Sequence, residues 1–555
     1  MPARTLPAVH RIPFSDLDAF PDLFVDVANR DLQALAYYAG DWGDADTRRS
    51  MANTVAQQPV DRDVLADTLT DQNQHWSPDG TLSPAVGDNI DELRDPESVA
   101  IVTGQQAGFL GGPLYTIYKT ITALQLADQV AEETERPVIP VFWVAGEDHD
   151  FKEIAHASIL HRNEVVRLEY PEPSLPNGDR DNTGAVGRIK LTGEINALLS
   201  ALDEHLPDSD FKPGVMRPLR DAYREGATAG DAFARLMRSL FEGTGLVLMT
   251  PDDPRLKRLV QPLFRRDLTD SQTAVDAVLS AGEQLERDGY HAQVHAAPTN
   301  LFLLDDNGRL PIDREEDGFR LRGTDRTFTE SELLDRLDAS PEDFSPNVVL
   351  RPLMQDTLLP TLAYIAGPGE TSYFAQYKAV YEWAEIQMPL IYPRASVSLV
   401  ESKVRSVLDA FDLSVADLTR DVEKLFQNLV VDEMVVDVDA VFGEALAQIH
   451  GAINDLKPHV EEVDRTLVKS AEAARASMAK EMNDLKQRVV RAEKRQQDEL
   501  RAKLDKARVN LVPDGALQER RINVLYFLNK YSPFLINDLR VTLTTDTSAH
   551  QVVDL

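Results

Sequence analysis

Short apolar runs rich in β-branched residues alternate with helical patterns through the middle of the 555-residue chain. The runs that read as strands cover residues 98–103, 138–145, 246–249, 362–366 and 389–392. Between them, apolar residues spaced three or four apart indicate helices, for example from Pro113 and from Tyr373. Strands that alternate with helices are typical of a parallel sheet covered by helices. The sequence therefore predicts an α/β fold with an open parallel-sheet core.

Two stretches, at about 155–230 and 292–344, interrupt this alternation. Both contain hairpin-like or short strand patterns, such as Asn300–Leu304, and loops rich in Asp, Gly and Pro. We interpret them as two insertions into a core domain that covers residues 1–395.

A second domain, 396–512, is predicted to be helical. From Ile453 to Ala492 apolar residues recur three or four apart between charged ones, which is typical of a coiled coil. A continuous helix from Pro458 to Asn510 would be roughly 80 Å long at 1.5 Å per residue, so it needs a partner helix. We expect a homodimer through this seam, with an intramolecular hairpin against Ser396–Gln427 as the alternative. The final segment, 513–555, is expected to return to the core.

The chain is strongly acidic, with 92 acidic and 58 basic residues and a formal net charge of −34. This charge repels phosphates and anionic lipid surfaces, so we expect neither nucleic acid nor a membrane as a partner. No apolar run reaches the roughly 20 residues of a membrane span, and Met1–Asp18 lacks a signal-peptide pattern, which favours the cytoplasm. The acidic excess is spread along the chain, as expected either for adaptation to high salt or for ordinary solubility.

The absence of cysteine from the sequence excludes disulfides, thiolate metal sites and a cysteine nucleophile. Any chemistry of cysteine in this protein must therefore involve a substrate.

A glycine-rich segment, Thr103–Tyr115, lies between the end of a predicted strand and the start of a helix. Glycines allow a ligand to approach the backbone closely, and a helix start favours an anion. The segment matches neither the Walker A loop nor G-x-G-x-x-G. The candidate ligand-binding residues are Gly104, Gly108, Gly111, Gly112, Tyr115 and Lys119, with the side-chain amides of Gln105 and Gln106 as candidate catalytic groups. The alternative is a glycine loop needed only for tight packing.

An acidic cluster, Gly146–Asp150, follows the second strand, where α/β enzymes place their ligands. The candidate catalytic residues in it are Glu147, Asp148, His149 and Asp150. Like charges this close should raise the pKa of at least one carboxyl group and favour a protonated imidazole. The cluster predicts either acid/base chemistry or a metal site, and the alternative is a solvated acidic turn.

Weaker candidates lie at the ends of the later strands. Arg394 follows the last strand and is suited to binding a carboxylate through two hydrogen bonds. The candidates that flank the fourth strand are Arg351, Gln355, Gly367, Glu370, Tyr373 and Gln376. Asp252 and Asp253 are better explained as a helix-capping turn.

Six segments resemble, in order and over nearly the whole chain, the signature segments of the bacillithiol-biosynthesis cysteine-adding family. They are Ile101–Gly108, Gly112–Lys119, Val141–Asp150, Gly289–Val294, Ser345–Pro352 and Ala363–Gln376. The resemblance implies a Rossmann-like core with two connecting insertions and a coiled coil that dimerises the protein. It also implies a ligase that joins the carboxyl group of cysteine to the amine of glucosaminyl-malate in the last step of bacillithiol synthesis.

Amide formation in water needs an activated carboxyl group, so we expect ATP as a cosubstrate. A divalent metal bound with ATP is an open alternative. The chain has no His-x-Gly-His adenylation motif. We expect His149 to take a proton from the substrate amine, or else to hold a metal ion that positions phosphates. The alternative function is a non-catalytic scaffold whose core senses a small molecule.

Overall fold

The computed structural model describes residues 6, 9–172, 184–295, 297–305, 308–433 and 437–555. The chain divides into two compact units. The larger unit contains Met1–Glu401 and Pro513–Leu555, and the smaller contains Ser402–Val512. Part of the first predicted insertion, 173–183, lies outside the described residues.

The strands all belong to the larger unit. They are β1 Val9–Pro13, β2 Val99–Gln106, β3 Val138–Ala145, β4 His156–His161, β5 Glu164–Glu169, β6 Val247–Met249, β7 Leu301–Asp305, β8 Gly308–Glu315, β9 Gly318–Leu321, β10 Thr327–Phe328, β11 Phe344–Pro346, β12 Thr361–Ala366, β13 Leu390–Pro393, β14 Val397–Val400 and β15 Ala549–Asp554.

The helices occur in both units. Those of the larger unit are α1 Asp22–Ala28, α2 Leu32–Leu35, α3 Ala45–Ala56, α4 Arg62–Trp76, α5 Pro84–Glu92, α6 Leu114–Thr134, α7 Phe151–Ile154, α8 Glu194–His205, α9 Lys212–Ala222, α10 Ala229–Leu240, α11 Pro254–Arg287, α12 Glu330–Ala339, α13 Leu350–Leu358, α14 Pro368–Phe374, α15 Lys378–Ala384, α21 Gln518–Arg521, α22 Val524–Lys530 and α23 Leu535–Thr542. Those of the smaller unit are α16 Ser402–Ala410, α17 Val415–Thr419, α18 Val422–Glu433, α19 Val438–Val463 and α20 Val468–Leu511.

A five-stranded parallel sheet with the order β13-β12-β2-β3-β6 forms the centre of the larger unit. Its strands are buried along their length because their side chains are almost all apolar. Helix α6 connects β2 with its parallel neighbour β3 and packs against both. The predicted α/β class and parallel core are confirmed. Strand β2 runs on to Gln106, past the predicted end at Thr103.

Both predicted insertions contain antiparallel strands. In the first, β4 and β5 form a hairpin, and the helices α8 and α9 follow it. In the second, a five-stranded antiparallel sheet has the order β10-β9-β8-β7-β11. This second sheet matters for function because β7, β8 and β11 bring residues to the cavity described below.

The segment 513–555 joins the larger unit, where β15 pairs with β1 and β14 in a third sheet. Strand β14 lies within the stretch that the sequence predicted as helical from residue 396. Its side chains are fully buried and its backbone pairs in parallel with β15, which explains the extended conformation.

The smaller unit is a helical hairpin, and the predicted continuous helix from Pro458 to Asn510 is wrong. The helix ends at Val463, and Asp464 takes an extended conformation in which its carboxylate accepts a hydrogen bond from the Thr466 amide at 2.8 Å. This cap starts a second helical segment that runs back along the first, with an ion pair between Lys486 and Asp439 at 2.5 Å. The C-terminal part of α20 packs on α16, α17 and α18. Among the described residues, no helix is both long and apolar enough to cross a membrane.

Candidate functional site

A cavity of about 680 Å³ lies in the larger unit at the carboxyl edge of the parallel sheet. The ends of β2, β3 and β12 contribute to its wall, as do Phe302 and Arg309 from the second insertion. Parallel α/β sheets bind ligands at this edge, and the volume is within the usual range for small-molecule sites.

Many of the predicted site residues line this cavity. They are Gly104, Gln105, Gln106, Tyr115, Lys119, Glu147, Asp148, Arg351, Gly367, Glu370, Tyr373 and Arg394. The segments that carry them lie far apart in the chain and meet because the carboxyl ends of parallel strands share one edge.

Lys119 and Glu370 form a buried ion pair in the cavity wall. The Nζ of Lys119 donates to Glu370 Oε2 and to the carbonyl oxygen of Gly104, both at 2.6 Å. Glu370 also accepts hydrogen bonds from the hydroxyl of Tyr364 and the amide of Gly367, both at 2.7 Å. Burial alone would raise the pKa of Glu370, but the ammonium group and these hydrogen bonds outweigh it and lower the pKa. The pair fixes the positions of β2, α6 and α14 around the cavity.

Asp148 is held as a carboxylate. It accepts hydrogen bonds from Gln106 Nε2 at 2.8 Å and from the amide of His149 at 2.7 Å, and Arg309 Nη1 lies 3.6 Å from it. Burial would raise the pKa of Asp148, but the hydrogen bonds and the guanidinium charge lower it well below its usual range. Asp148 is therefore not a carboxyl group of the cluster whose pKa is raised, because donors and the Arg309 guanidinium surround it.

The other acidic residues of the cluster have different partners. Glu147 is buried and forms an ion pair with the fully buried Lys257, which also donates to the carbonyl oxygen of Phe344. Asp150 caps α7 by accepting a hydrogen bond from the amide of Glu153 at 3.1 Å, and it does not line the cavity.

His149 does not line the cavity either. Its Nδ1 lies 3.2 Å from Arg309 Nη1 and 3.4 Å from Asp148 Oδ1. The imidazole is therefore directed into the Asp148–Arg309 pair, and this geometry does not favour the predicted transfer of a proton from a ligand in the cavity to His149.

Four of the amides expected to form an anion cradle at the start of α6 already have acceptors within the chain. The amides of Gly108, Gly111, Gly112 and Leu114 donate to main-chain carbonyls, those of Gln106, Gly108, Phe109 and Ile522. Asn523 Nδ2 closes the loop by donating to the carbonyls of Leu110 and Gly112 at 2.9 and 2.8 Å. Gly108, Gly111 and Gly112 do not line the cavity. Gly111 and Gly112 have φ of 91° and 73°, so glycine is needed here for the turn itself.

Three further predicted ligand-binding side chains are occupied by protein groups. Arg394 binds a carboxylate through two hydrogen bonds, but the carboxylate is that of Glu519, at 2.6 and 3.0 Å, in a fully buried pair. Gln376 accepts hydrogen bonds from the amides of Gln293 and Val294, and Gln355 donates to Asp356. Neither glutamine lines the cavity, because both are buried between helices and loops of the core.

Several cavity residues were missed by sequence reasoning. Those with functional groups are Glu153, Arg309, Asn347, Tyr364 and Arg520. Arg309 stacks on Phe302, with 3.8 Å between the guanidinium carbon and the ring centroid. It lies in a strand of the second insertion, where no sequence pattern indicated a functional residue. Glu153 lies three residues after Asp150, the N-cap of α7. This spacing is the sequence feature that could have drawn attention to Glu153.

The prediction of a helix-capping turn at Asp252 and Asp253 is confirmed for Asp253. Asp253 caps α11 by accepting a hydrogen bond from the amide of Arg255 at 2.9 Å, as expected for a helix-capping turn. Among the described residues, no group of three or more His, Cys, Asp or Glu side chains is arranged to hold a metal ion.

The parallel sheet with its two insertions is that of a Rossmann-like α/β domain, and the cavity lies at the carboxyl edge of this sheet. Residues 8–395 match the family model described as the N-terminal Rossmann-like domain of bacillithiol biosynthesis BshC. Residues 397–555 match its C-terminal coiled-coil domain. The chain therefore belongs to the BshC family of bacillithiol biosynthesis, and the resemblance seen in the sequence is confirmed.

Curated relatives cover essentially the whole chain, and each of them is named "Putative cysteine ligase BshC". The protein of Salinibacter ruber is 62% identical over 100% of both chains. The protein of Chloroherpeton thalassium is 35% identical over 98% of this chain and 100% of its own. The protein of Chlorobaculum tepidum is 36% identical over 90% of both chains.

Proposed function

We propose that this protein is a cysteine ligase that forms an amide between the carboxyl group of cysteine and the amine of glucosaminyl-malate, as the last step of bacillithiol synthesis. The family membership and the names of the relatives support the cysteine ligase class. The amino sugar-malate substrate and the position of the step come from the family resemblance.

The observation that carries this proposal is a cationic group in the cavity without an anionic partner. Arg351 forms no ion pair with a carboxylate of the described residues, and its Nη2 is buried without a hydrogen-bond partner among them. A buried donor left unsatisfied is costly, which favours a ligand that supplies an acceptor. Both proposed substrates carry carboxylates, which bind guanidinium groups well.

A second arginine supports the same assignment. Arg520 is exposed, lines the cavity and has no ion-pair partner among the described residues. Two guanidinium groups in one cavity, neither with an ion-pair partner among the described residues, fit ligands that carry several anionic groups, as glucosaminyl-malate and ATP do.

We also propose ATP as the cosubstrate that activates the cysteine carboxyl group. Bound ATP would supply a phosphoryl or nucleotidyl group that makes a carboxyl oxygen a good leaving group. The cavity residue that fits its phosphates is the exposed Arg520, which leaves Arg351 to a substrate carboxylate. The amides of Gly108, Gly111 and Gly112 do not fit them, because they already donate within the chain.

For the assembly, we propose a homodimer in which the helical hairpin of one copy packs on that of a second copy. The hairpin leaves apolar side chains about half exposed, which is unusual for a surface in water. They are Val441, Leu456, Met478, Leu485 and Val490. The cytoplasmic location expected from the sequence stays a prediction.

Complementation tests the proposed function without assuming a cofactor. The gene is expressed in a bacterium that makes glucosaminyl-malate but lacks its own cysteine-adding enzyme, and the thiols are labelled and identified by mass spectrometry. We expect the cysteinyl conjugate to appear and glucosaminyl-malate to fall. A folded, expressed protein that leaves glucosaminyl-malate unchanged and produces no conjugate would contradict the proposal and favour the sensor hypothesis.

A further inference from the structure

We propose that Glu153 accepts the proton that the substrate amine loses before it attacks the cysteine carboxyl group, and that Gln106 holds the Glu153 carboxylate in position. This inference rests on the proposed function, because it assigns the proton transfer of that reaction to a residue of the same cavity.

The position of Glu153 is the first argument. Glu153 lies on α7, directly after the acidic turn that follows β3, and its side chain is exposed where it lines the cavity. A proton acceptor must be reachable by the substrate. His149, which the sequence favoured for this role, does not line the cavity and has its Nδ1 against Arg309 and Asp148.

The pairing of the cavity carboxylates is the second argument. Four of them line the wall, and three are neutralised: Glu147 by Lys257, Asp148 by Arg309 and Glu370 by Lys119. Glu153 forms no ion pair with a cation among the described residues, and its one side-chain donor there is the neutral amide of Gln106, at 2.9 Å from Oε2. Its Oε1 is thus available to a ligand.

Gln106 is placed to act as the positioning residue. Its Nε2 donates both to Asp148 Oδ2 at 2.8 Å and to Glu153 Oε2 at 2.9 Å. The amide therefore holds two carboxylates side by side at the end of β2, and one of them, Asp148, is kept ionised by its other partners.

The charges around Glu153 favour a proton acceptor. Partial burial and the negative charges of Asp148 and Asp150 raise the pKa of Glu153, while the hydrogen bond from Gln106 opposes the rise. Burial, and after it the charge of Glu153, raises the pKa of Tyr115, which lines the same cavity. A base with a raised pKa takes a proton from an ammonium group more readily.

The proposed step is a single proton transfer. The substrate amine arrives as an ammonium ion, which the Glu153 carboxylate attracts. One N–H bond breaks, its electron pair stays on nitrogen, and an O–H bond forms on Glu153 Oε1. The neutral amine then has the lone pair needed to attack the activated carboxyl carbon of cysteine.

Glu153→Gln tests this role, because glutamine keeps the size of the side chain and an oxygen that can accept the Gln106 hydrogen bond. Glu153→Asp keeps the carboxylate, and Glu164→Gln, an exposed position on β5, is the matched control. In the complemented strain, the rate of conjugate formation is followed after a pulse of labelled cysteine. In parallel, calorimetry measures the affinity of each purified variant for glucosaminyl-malate.

We expect Glu153→Gln to lower the rate by roughly 10²- to 10⁴-fold, as for loss of a general base, with affinity retained. Glu153→Asp should recover part of the rate, and Glu164→Gln should match the wild type. A Glu153→Gln rate near that of the wild type overturns the assignment, as does a loss of affinity that accounts for the whole loss of rate. If the wild type itself forms no conjugate, the proposed function fails and this assignment fails with it.

Discussion

Arg351 lines the cavity, and in the protein without a ligand its guanidinium group lacks a hydrogen-bond partner for one of its nitrogens among the described residues. Its Nη1 donates to Gln355 Oε1 at 3.2 Å and its guanidinium carbon lies 5.5 Å from the ring centroid of Tyr364, but its Nη2 is buried without a partner among the described residues. The surrounding groups therefore hold the guanidinium in place without neutralising it. Such an arrangement is preorganised for an anion that arrives with the ligand.

Arg351→Met should weaken the binding of glucosaminyl-malate about tenfold to a hundredfold, since a charge-assisted hydrogen bond contributes roughly 1.5–3 kcal/mol. Methionine keeps most of the apolar contact with Tyr364. Calorimetry with the purified protein measures the change, and Arg258→Met, at an exposed arginine outside the cavity, is the control. An unchanged affinity in Arg351→Met would show that the ligand does not use this guanidinium.

At the residue scale, the sequence predicts which part of the fold a side chain lies in better than it predicts the group to which that side chain binds. Glu370 and Asp148 reach the cavity because they lie near strand ends that must meet at one edge, and Lys119 reaches it from the helix that follows β2. The partner of Arg394 is Glu519, 125 residues further on, in a short helix of the returning C-terminal segment. No local pattern reveals that pairing, so an arginine suited to a substrate carboxylate could not be distinguished from one already paired.

At the scale of elements, the loop Thr103–Tyr115 shows how a glycine-rich segment can be structural. The sequence correctly placed Gly108, Gly111 and Gly112 between a strand and a helix, although β2 includes residues 103–106 of the segment. It could not reveal that Asn523 binds the loop at the helix start. The buried Asn523 donates to two loop carbonyls, and its Oδ1 accepts a hydrogen bond from the amide of Leu525 at 2.9 Å. One side chain thus ties the loop to α22.

Asn523→Ala should destabilise this loop locally by about 1–3 kcal/mol, because two buried carbonyls lose their donor. Hydrogen exchange of the amides of 109–116, measured by mass spectrometry, should become faster by a corresponding factor. Asn196→Ala, at an exposed position of α8, should leave exchange in this segment unchanged. Equal protection of 109–116 in Asn523→Ala and the wild type would refute the closing role of this side chain.

In the helical hairpin, too, a local hydrogen bond determines where a helix ends. The apolar spacing continues across 463–467, and it favoured one long helix. The cap formed by Asp464 and the Thr466 amide breaks that helix, and the chain then folds back on itself. Periodicity identified the face that packs, but it did not identify α19 as the partner within the same chain.

At the scale of the whole molecule, the central question about the hairpin is whether its remaining apolar surface binds a second copy. Leu485 is 49% exposed and Met478 is 48% exposed, although α19 packs along the same helix. Intramolecular pairing therefore leaves part of the predicted seam uncovered.

Replacing Leu485 and Met478 together with Glu should convert a dimer into a monomer, because the interface would bury like charges. Analytical ultracentrifugation measures the mass, which is 61.8 kDa for one chain. Asn483→Glu adds a negative charge at an exposed polar position of α20 and should leave the dimer intact. A monomeric wild type, or a double variant that still sediments as a dimer, would contradict the proposed assembly.

The most direct test of the central claim is reconstitution with purified protein. The protein is incubated with glucosaminyl-malate, ATP and cysteine that carries ¹⁸O in its carboxyl group. The masses of all products are then measured by mass spectrometry. The account predicts a conjugate equal in mass to the two substrates less one labelled water equivalent, with the lost ¹⁸O found on phosphate or on the nucleotide. If the protein binds glucosaminyl-malate in the cavity but yields no conjugate under these conditions, the claim that the cavity is a cysteine ligase site using ATP is contradicted.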